Sequence, residues 1–166
     1  MKQKLLKYGI TTVYHFTDRG NMISILADEF LLPRSAITSS YTPGGNEISI
    51  KTDNRCGMDK YIHLCFLNKH PMEHIAREEG RIDSVWLEVS TEILDFEGVL
   101  YSPGVSNKTG MFYYDNDQAR SQLDLDILYK HIPWDVDDNM QRRKDAEKYE
   151  ILVPLPIPVS LITGVN

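Results

Sequence analysis

Short apolar runs separated by polar segments follow one another along this chain, and several alternate as strands do. The most regular are residues 11–16, 61–67 and 84–89, which are rich in β-branched and aromatic side chains. Another apolar run covers 149–153, and a shorter one surrounds Leu100. These patterns predict a set of short strands.

Between these strands the apolar residues adopt helical spacing. Residues 1–10 and 72–79 predict short helices, and 116–131 has the same period. A further helix should follow the first strand, capped by Asp18 or Asn21. Its apolar face is formed by Met22, Ile25, Leu26 and Phe30.

The remaining segments carry weaker signals. Residues 35–59 follow neither period and are predicted to form a long polar loop of the kind that often carries function. The aromatic run 111–114 suggests another strand, and an acidic connection should precede the last strand. Short central strands with flanking helices, and no repeat, predict a single α+β domain over residues 1–166.

Composition is that of an ordinary globular protein, with 42% hydrophobic and 25% charged residues. No apolar run approaches the roughly 20 residues of a membrane span. The first residues lack the apolar core of a signal peptide. Cys56 and Cys65 are too far apart for a Cys-x-x-Cys pair and suggest free thiols. We therefore expect a cytoplasmic protein without membrane contact.

A net charge of −6 argues against a broad electrostatic grip on duplex nucleic acid. Acidic residues concentrate in 115–138, where they would repel phosphate. The basic residues available to follow a nucleic-acid strand are Lys2, Lys4, Lys7, Arg142, Arg143 and Lys144.

Motifs for several common chemistries are missing. His70 and His74 are four apart but lack the zinc-protease glutamate, so we expect two surface histidines and no metal. His63 alternates with apolar neighbours and should point away from the core. The chain has no Gly-x-Ser-x-Gly elbow and no phosphate-cradling glycine loop.

Two polar features remain open on local evidence. Residues 14–17, Tyr-His-Phe-Thr, lie at a predicted strand end, where they could contact a ligand or form a satisfied polar pair. Glu147 and Glu150 adjoin the last strand, and taken alone both would be solvated surface charges.

In their order along the chain, these short motifs resemble the DarT family, bacterial toxins that use NAD+ to ADP-ribosylate bases of single-stranded DNA. The resemblance covers nearly the whole chain. Its segments are 14–17, Asn21 with 24–26, 31–32, 50–51 with Arg55, the strand containing Tyr61, 70–72, 86–87, 115–119, 142–143 and 146–153.

The resemblance implies an ADP-ribosyltransferase-like fold and NAD+ as co-substrate. It also implies transfer of ADP-ribose to a base of single-stranded DNA, with thymine expected, and a toxin paired with a macrodomain-type antitoxin. RNA or protein as the acceptor, or a non-catalytic relative that only binds a nucleotide, are the alternatives.

The resemblance also implies the catalytic carboxylate. Breaking the bond between nicotinamide and ribose develops positive charge on the sugar, which a facing carboxylate would stabilise. In the family this residue is a glutamate beside the last strand. We predict Glu150, because strand register restricts where its side chain points. Glu147, which follows Ala146, is the alternative.

Arg55 matches the family's catalytic arginine, which would hold the pyrophosphate or orient the acceptor base. His15 and Thr17 match the pair that contacts the ribose and the nicotinamide amide. Further candidates for NAD+ contacts are Phe16, Asn21, Arg34 and Tyr61, with Phe66 as an alternative stacking residue.

One departure from the family concerns Gln118, which stands where members often carry a histidine before alanine. Glutamine can hydrogen-bond a base or a ribose but cannot act as a charged acid. Aromatic side chains that could stack on an unpaired base are Tyr41, Tyr113 and Tyr114.

Overall fold

A computed structural model of the protein describes residues 1–38, 41–108, 110–133, 135–136 and 138–166. The helices are α1 (Lys2–Leu6), α2 (Asn21–Asp28), α3 (Glu47–Cys56), α4 (Pro71–Glu78), α5 (Asn116–Gln122), α6 (Asp126–Tyr129) and α7 (Asn139–Ala146). The strands are β1 (Thr12–Asp18), β2 (Phe30–Leu31), β3 (Ile62–Cys65), β4 (Ser84–Ser90), β5 (Leu100–Ser102), β6 (Glu150–Val153), β7 (Ile157–Pro158) and β8 (Ile162–Val165). The predicted α+β class is confirmed.

The main sheet has the strand order β5–β6–β3–β1–β4–β8, and every neighbouring pair is antiparallel. In β4 the apolar residues Val85, Leu87 and Val89 are buried and alternate with partly exposed ones. In β6 all four residues are buried, including the charged Glu150. A central, fully buried strand therefore starts with a carboxylate.

The core lies between the main sheet and the helices that cover it. Side chains of Leu5, Leu64, Leu87 and Ile151 are fully buried there, together with the ring of Tyr101. Each buried aliphatic side chain of this size contributes roughly 1.5–3 kcal/mol through removal from water.

The two middle strands of the sheet, β1 and β3, separate beyond a single paired position. Their only paired register position among the described residues is Tyr14 opposite Cys65. Beyond it β1 continues to Asp18 paired with β4 alone. His15 Nδ1 spans the start of the gap by lying 2.8 Å from the carbonyl oxygen of His63. The divergence leaves an opening in the sheet.

The prediction of a loop over residues 35–59 is wrong for the second half of this segment, which forms α3. Asn46 caps this helix by accepting a hydrogen bond from Ser49 N at 2.9 Å, and Gly57 ends it at a φ of 74°. None of its residues is buried. Without a buried face the helix has no apolar stripe, and a helix is predicted from such a stripe.

Other elements also differ from the pattern. The helical period of 116–131 is interrupted near Leu125, giving α5 and α6. Residues 111–114 form no strand, and Tyr114 makes only an isolated bridge to Tyr101. The predicted acidic connection contains α7, and the proline-rich tail forms β7 and β8. Pro158 is tolerated because it ends a two-stranded ribbon.

Candidate active site

A cavity of about 170 Å³ opens where β1 and β3 separate. Its walls come from both strands, from α3, from the segment 41–45 and from the segment 105–107. Of the predicted site residues, the cavity is lined by His15, Phe16, Thr17, Arg34, Tyr61 and Glu150. Asn21, Arg55, Glu147 and Phe66 lie outside its lining.

Glu150 lies in the cavity wall at the start of β6, and its side chain is only 7% exposed. Oε2 lies 3.1 Å from His63 Nδ1 and accepts a hydrogen bond from Ser106 N at 3.2 Å. Oε1 faces His70 Nε2 at 3.6 Å. The carboxylate is therefore held by groups on β3, on the loop after β5 and at the start of α4.

The charge state of Glu150 follows from these contacts. Burial alone would raise the pKa of Glu150, but the hydrogen bond and charge of His63, with help from His70 and Ser106, hold this pKa below its ordinary value. Burial would lower the pKa of His63, yet its hydrogen bond to Glu150 and the Glu150 charge outweigh that effect and raise it. The pair thus favours a carboxylate beside an imidazolium.

His15 lines the cavity, and one of its ring nitrogens has no hydrogen-bond partner among the described residues. Its Nδ1 lies 2.8 Å from the His63 carbonyl oxygen, which can only accept, so Nδ1 carries the proton. Nε2 is buried and has no partner among the described residues. Burial lowers the pKa of His15 to about 4, so the ring is neutral at pH 7. Nε2 is then an acceptor for a hydroxyl or an amide of a ligand.

Thr17 and Asn21 fix the loop that covers the cavity. Thr17 Oγ1 lies 3.0 Å from the Tyr41 hydroxyl and accepts from Asn21 Nδ2 at 3.0 Å. Asn21 also exchanges two hydrogen bonds with the Thr42 backbone, each 2.8 Å long. Neither residue predicted to cap α2 is its N-cap, which is Gly20, although Asp18 Oδ1 accepts a hydrogen bond from Gly20 N at 2.8 Å. Asn21 is a support for the wall.

Phe16 forms one wall between two other rings. It stacks on His70 with the ring centres 6.2 Å apart and meets Trp86 edge-on at 5.5 Å. Gly44 passes so close that an added Cβ would lie 3.0 Å from Phe16 Cε2. The glycine therefore lets the loop approach the ring, which leaves a flat apolar surface beside Glu150.

Arg34 brings a guanidinium to the cavity. Nη2 donates to Asn54 Oδ1 at 2.6 Å and to the Ile50 carbonyl at 3.2 Å, which ties the segment after β2 to α3. Asp53 lies beside it on the cavity face of α3, and burial raises the pKa of this carboxyl. Arg34 is positioned to meet a phosphate group.

Tyr61 and Phe66 occupy different places. Tyr61 lines the cavity. Phe66 is buried in the core, where its ring centre lies 6.5 Å from that of Tyr101 and 6.5 Å from that of Tyr149. Only Tyr61 is therefore available for stacking on a ligand.

Arg55, Glu147 and Gln118 lie away from the carboxylate. Arg55 is exposed near the end of α3. Glu147 pairs with Lys69 at 3.1 Å and Arg143 at 3.0 Å. Gln118 completes a capping box at the start of α5, since its Oε1 accepts from Asp115 N at 3.1 Å. Its side chain serves the helix.

Sequence patterns missed several residues of this site. His70 was expected at the surface, but it is buried as the N-cap of α4. His63 does point out of the core, as predicted, and it points into the cavity. Asp53 and Ser106 gave no signal, because the segments that carry them show no clear period. The His-Pro step at 70–71, which is typical of a helix start, could have identified His70 as a cap.

The basic residues considered for a nucleic-acid strand are largely engaged within the protein. Lys2 pairs with Asp95 at 2.7 Å, and Lys4 donates to the Arg120 carbonyl at 2.7 Å. Arg142 pairs with Asp124 at 2.6 Å. These contacts reduce the charge available to phosphate on that side of the molecule.

The described residues contain neither a metal-binding cluster nor a membrane-spanning helix. No group of three or more His, Cys, Asp or Glu side chains there is arranged to hold a metal ion. No helix in the described ranges is long and apolar enough to cross a membrane.

Solved structures with the same architecture include three complexes. DarT from Thermus sp. 2.9 with ADP-ribosylated ssDNA matches with a TM-score of 0.69 at 17% identity, covering 93% of this chain and 80% of that one. The same protein with NAD+ gives a TM-score of 0.60 at 17% identity, with the same coverage of 93% and 80%. DarTG from Thermosipho africanus with ADP-ribose gives 0.66 at 17% identity, covering 94% of this chain and 43% of that one.

A search of curated proteins finds no match. A family model described as "ssDNA thymidine ADP-ribosyltransferase, DarT" matches residues 14–166. That range runs from Tyr14 in β1 to the last residue and contains Glu150. The chain belongs to the DarT family of ssDNA thymidine ADP-ribosyltransferases.

Proposed function

We propose that this protein, acting as one domain over residues 1–166, transfers ADP-ribose from NAD+ to thymine in single-stranded DNA and that Glu150 is its catalytic carboxylate. The observation that carries the assignment is the buried Glu150, whose pKa is held below its ordinary value, in the wall of the cavity that His15 and Arg34 also line. Glu147, the alternative, has its charge neutralised by Lys69 and Arg143 outside that cavity.

The chemistry requires a carboxylate of this kind. When the C–N bond to nicotinamide breaks, nicotinamide leaves with the bonding electrons and positive charge develops on the ribose. The negative charge of the buried Glu150 side chain stabilises that positive charge. A ring nitrogen of the base then bonds to the sugar carbon in place of nicotinamide and releases its proton to solvent. Glu150 thus acts in the transition state.

The remaining cavity residues would hold NAD+. His15 Nε2, a buried acceptor without a partner, fits a ribose hydroxyl or the carboxamide NH₂ of nicotinamide. Phe16 and Tyr61 provide rings for stacking. Arg34 suits the pyrophosphate. Thr17 and Asn21 keep the covering loop in place.

Arg55 keeps its proposed role on the acceptor. It lies on the same helix as Ser49, Ile50 and Asp53, which line the cavity, but on another face. A guanidinium in that position would meet DNA outside the cavity and orient the incoming base. Replacing Arg55 should therefore impair transfer to DNA more than NAD+ binding.

The assay mixes purified protein, NAD+ and a thymine-containing oligonucleotide and follows nicotinamide release and the oligonucleotide mass. We expect a gain of one ADP-ribose on thymine and none on an oligonucleotide without thymine. Glu150→Gln should lower transfer by at least about a hundredfold, as removal of one electrostatic group from an active site does. Glu147→Gln is the matched control and should stay active.

Full activity of Glu150→Gln, or loss of activity in Glu147→Gln alone, would refute the assignment of the carboxylate. The acidic segment 115–138 and Gln118 motivate a second set of acceptors, an RNA oligonucleotide and a protein mixture. If the RNA or the protein were modified and the DNA were not, the proposal of DNA as the acceptor would be wrong.

We also propose a macrodomain-type antitoxin as partner and the cytoplasm as the site of action, where NAD+ and single-stranded DNA are both present. The test is to treat the modified oligonucleotide with a purified macrodomain. Removal of the ADP-ribose group would support this partner class. An unaltered product would contradict it.

A further inference from the structure

Two histidines that the sequence did not associate with catalysis enclose the carboxylate of Glu150. Oε2 lies 3.1 Å from His63 Nδ1, and Oε1 lies 3.6 Å from His70 Nε2. Ser106 N donates to Oε2 at 3.2 Å. Oε2 of this buried group is therefore held by contacts with two other elements, whereas Oε1 faces His70 Nε2 beyond hydrogen-bond distance.

The hydrogen bonds of His63 fix its charge state. Nε2 lies 3.1 Å from the Met58 carbonyl oxygen, which can only accept. Nδ1 faces Glu150 Oε2, which also accepts when the carboxyl is ionised. The Ser106 hydroxyl, 3.2 Å from Nδ1, can serve as donor or acceptor and imposes no proton. A ring that donates from both nitrogens is an imidazolium.

His70 plays a different part. Its Nδ1 accepts a hydrogen bond from Met72 N at 3.3 Å, so the proton of the neutral ring is on Nε2, which faces Glu150. Burial lowers the pKa of His70 and keeps this ring neutral. Of the two histidines, His63 supplies the positive charge.

We propose that His63 is a positioning residue whose imidazolium keeps Glu150 ionised and orients Oε2 toward the cavity. A buried carboxylate without a nearby cation takes up a proton, because burial disfavours the charged form. A protonated Glu150 would offer no charge to the sugar in the transition state. This inference rests on the proposed role of Glu150.

Other groups around the pair must be considered for any dependence on pH. Burial raises the pKa of Asp53 on α3. When Asp53 is ionised, its negative charge disfavours the negative charge of Glu150. Arg34 donates to Asn54 and the Ile50 carbonyl. The titratable groups that face His63 and Glu150 from the surrounding elements are His15, Asp53, Cys65, His70 and Tyr113. His15 and His70 are neutral at pH 7, so they do not replace the charge of His63.

The first test measures the titration of Glu150 directly. Protein with ¹³C-labelled glutamate carboxyls is titrated by NMR, and Glu150→Gln identifies the resonance. His63→Asn places an uncharged amide near the Nδ1 position and can still donate to Oε2. We expect this variant to raise the pKa of Glu150 by at least one unit, a tenfold change in its ionisation constant. His74→Gln, at an exposed histidine of α4, is the control and should change nothing.

The second test follows nicotinamide release against pH. In His63→Asn we expect kcat to fall as pH drops through the new pKa of Glu150 and to recover above it, at a higher pH than in the wild type, while KM for NAD+ changes little. A purely structural role would lower activity by the same factor at every pH. His63→Gln, whose longer amide can keep the contact with the Met58 carbonyl, repeats the test if His63→Asn does not fold.

The outcomes separate the two proposals. An active Glu150→Gln variant would overturn the proposed function, whatever the titrations show. An inactive Glu150→Gln variant with the same Glu150 pKa in wild type and His63→Asn would overturn only the role of His63. A raised pKa together with base-recoverable activity supports both.

Discussion

The neutral state of His15 makes a quantitative prediction about stability. Burial lowers its folded-state pKa from 6.5 to about 4. The unfolded chain therefore binds a proton below pH 6.5, whereas the folded protein binds it only below about pH 4. Stability conferred by the neutral ring is complete above the unfolded pKa and is lost as pH falls through this window.

The size of the effect follows from the two pKa values. A difference of one pKa unit corresponds to 1.36 kcal/mol. Linkage then gives a loss of about 2 kcal/mol between pH 7 and pH 5, rising to about 3 kcal/mol at pH 4. A loss of that size is a large fraction of the stability of a typical domain.

The perturbation that isolates this effect is His15→Asn. The asparagine amide occupies roughly the Nδ1 position and can donate to the His63 carbonyl oxygen, but it does not titrate. Urea unfolding of both proteins is followed by tryptophan fluorescence at pH 7, 6 and 5. The difference in unfolding free energy between them should shift against the wild type by about 2 kcal/mol from pH 7 to pH 5.

Titration of other groups, including Glu150 and His63, contributes equally to both proteins and cancels in the difference. Equal m-values are the check that the unfolding reaction is the same. A difference that stays constant across this range would refute the reasoning, because His15 would then titrate at an ordinary pKa in a well-hydrated cavity.

Two further predictions concern the covering loop. Asn21→Ala removes three hydrogen bonds of 2.8–3.0 Å and leaves Thr42 N without a partner, so unfolding in urea should show a loss of about 2–3 kcal/mol, and calorimetry should show weaker NAD+ binding. An unchanged stability would mean that water replaces the amide. Gly44→Ala should weaken NAD+ binding with little effect on stability. The new Cβ would lie 3.0 Å from Phe16 Cε2, which is too close, so the ring would be displaced. Gly104→Ala, whose Cβ would meet only the flexible end of Met111 at 3.3 Å, is the control, and equal affinities in both variants would contradict the argument.

Strands could be predicted from the sequence wherever burial imposes a period. The apolar alternation of 84–89 and the run 149–153 both gave strands with nearly the expected bounds. The same local reasoning failed for α3, because a helix with no buried residue has no apolar stripe to reveal it. It also failed for β7 and β8, and Pro158 of β7 is tolerated because it ends a two-stranded ribbon.

Part of the site was also predictable. Glu150 opens the most buried strand, so its direction follows from register once β6 is recognised. The segment 15–17 lies in β1 and lines the cavity, as its polar side chains at a strand end suggested. Arg55 lies on another face of α3 from the residues that line the cavity, and its role on the acceptor stays a prediction.

The sequence by itself determined the segments that form β1, β3, β4 and β6, which family the chain resembles and which glutamate starts the last central strand, since these depend on neighbours along the chain. Only the tertiary structure decided what surrounds that glutamate. His63 and Glu150 are 87 residues apart and meet because β3 and β6 are adjacent in the sheet. His70 turns inward because α4 begins against this strand pair. The cavity itself exists because β1 and β3 separate after Tyr14, and strand pairing of this kind is a property of the whole sheet.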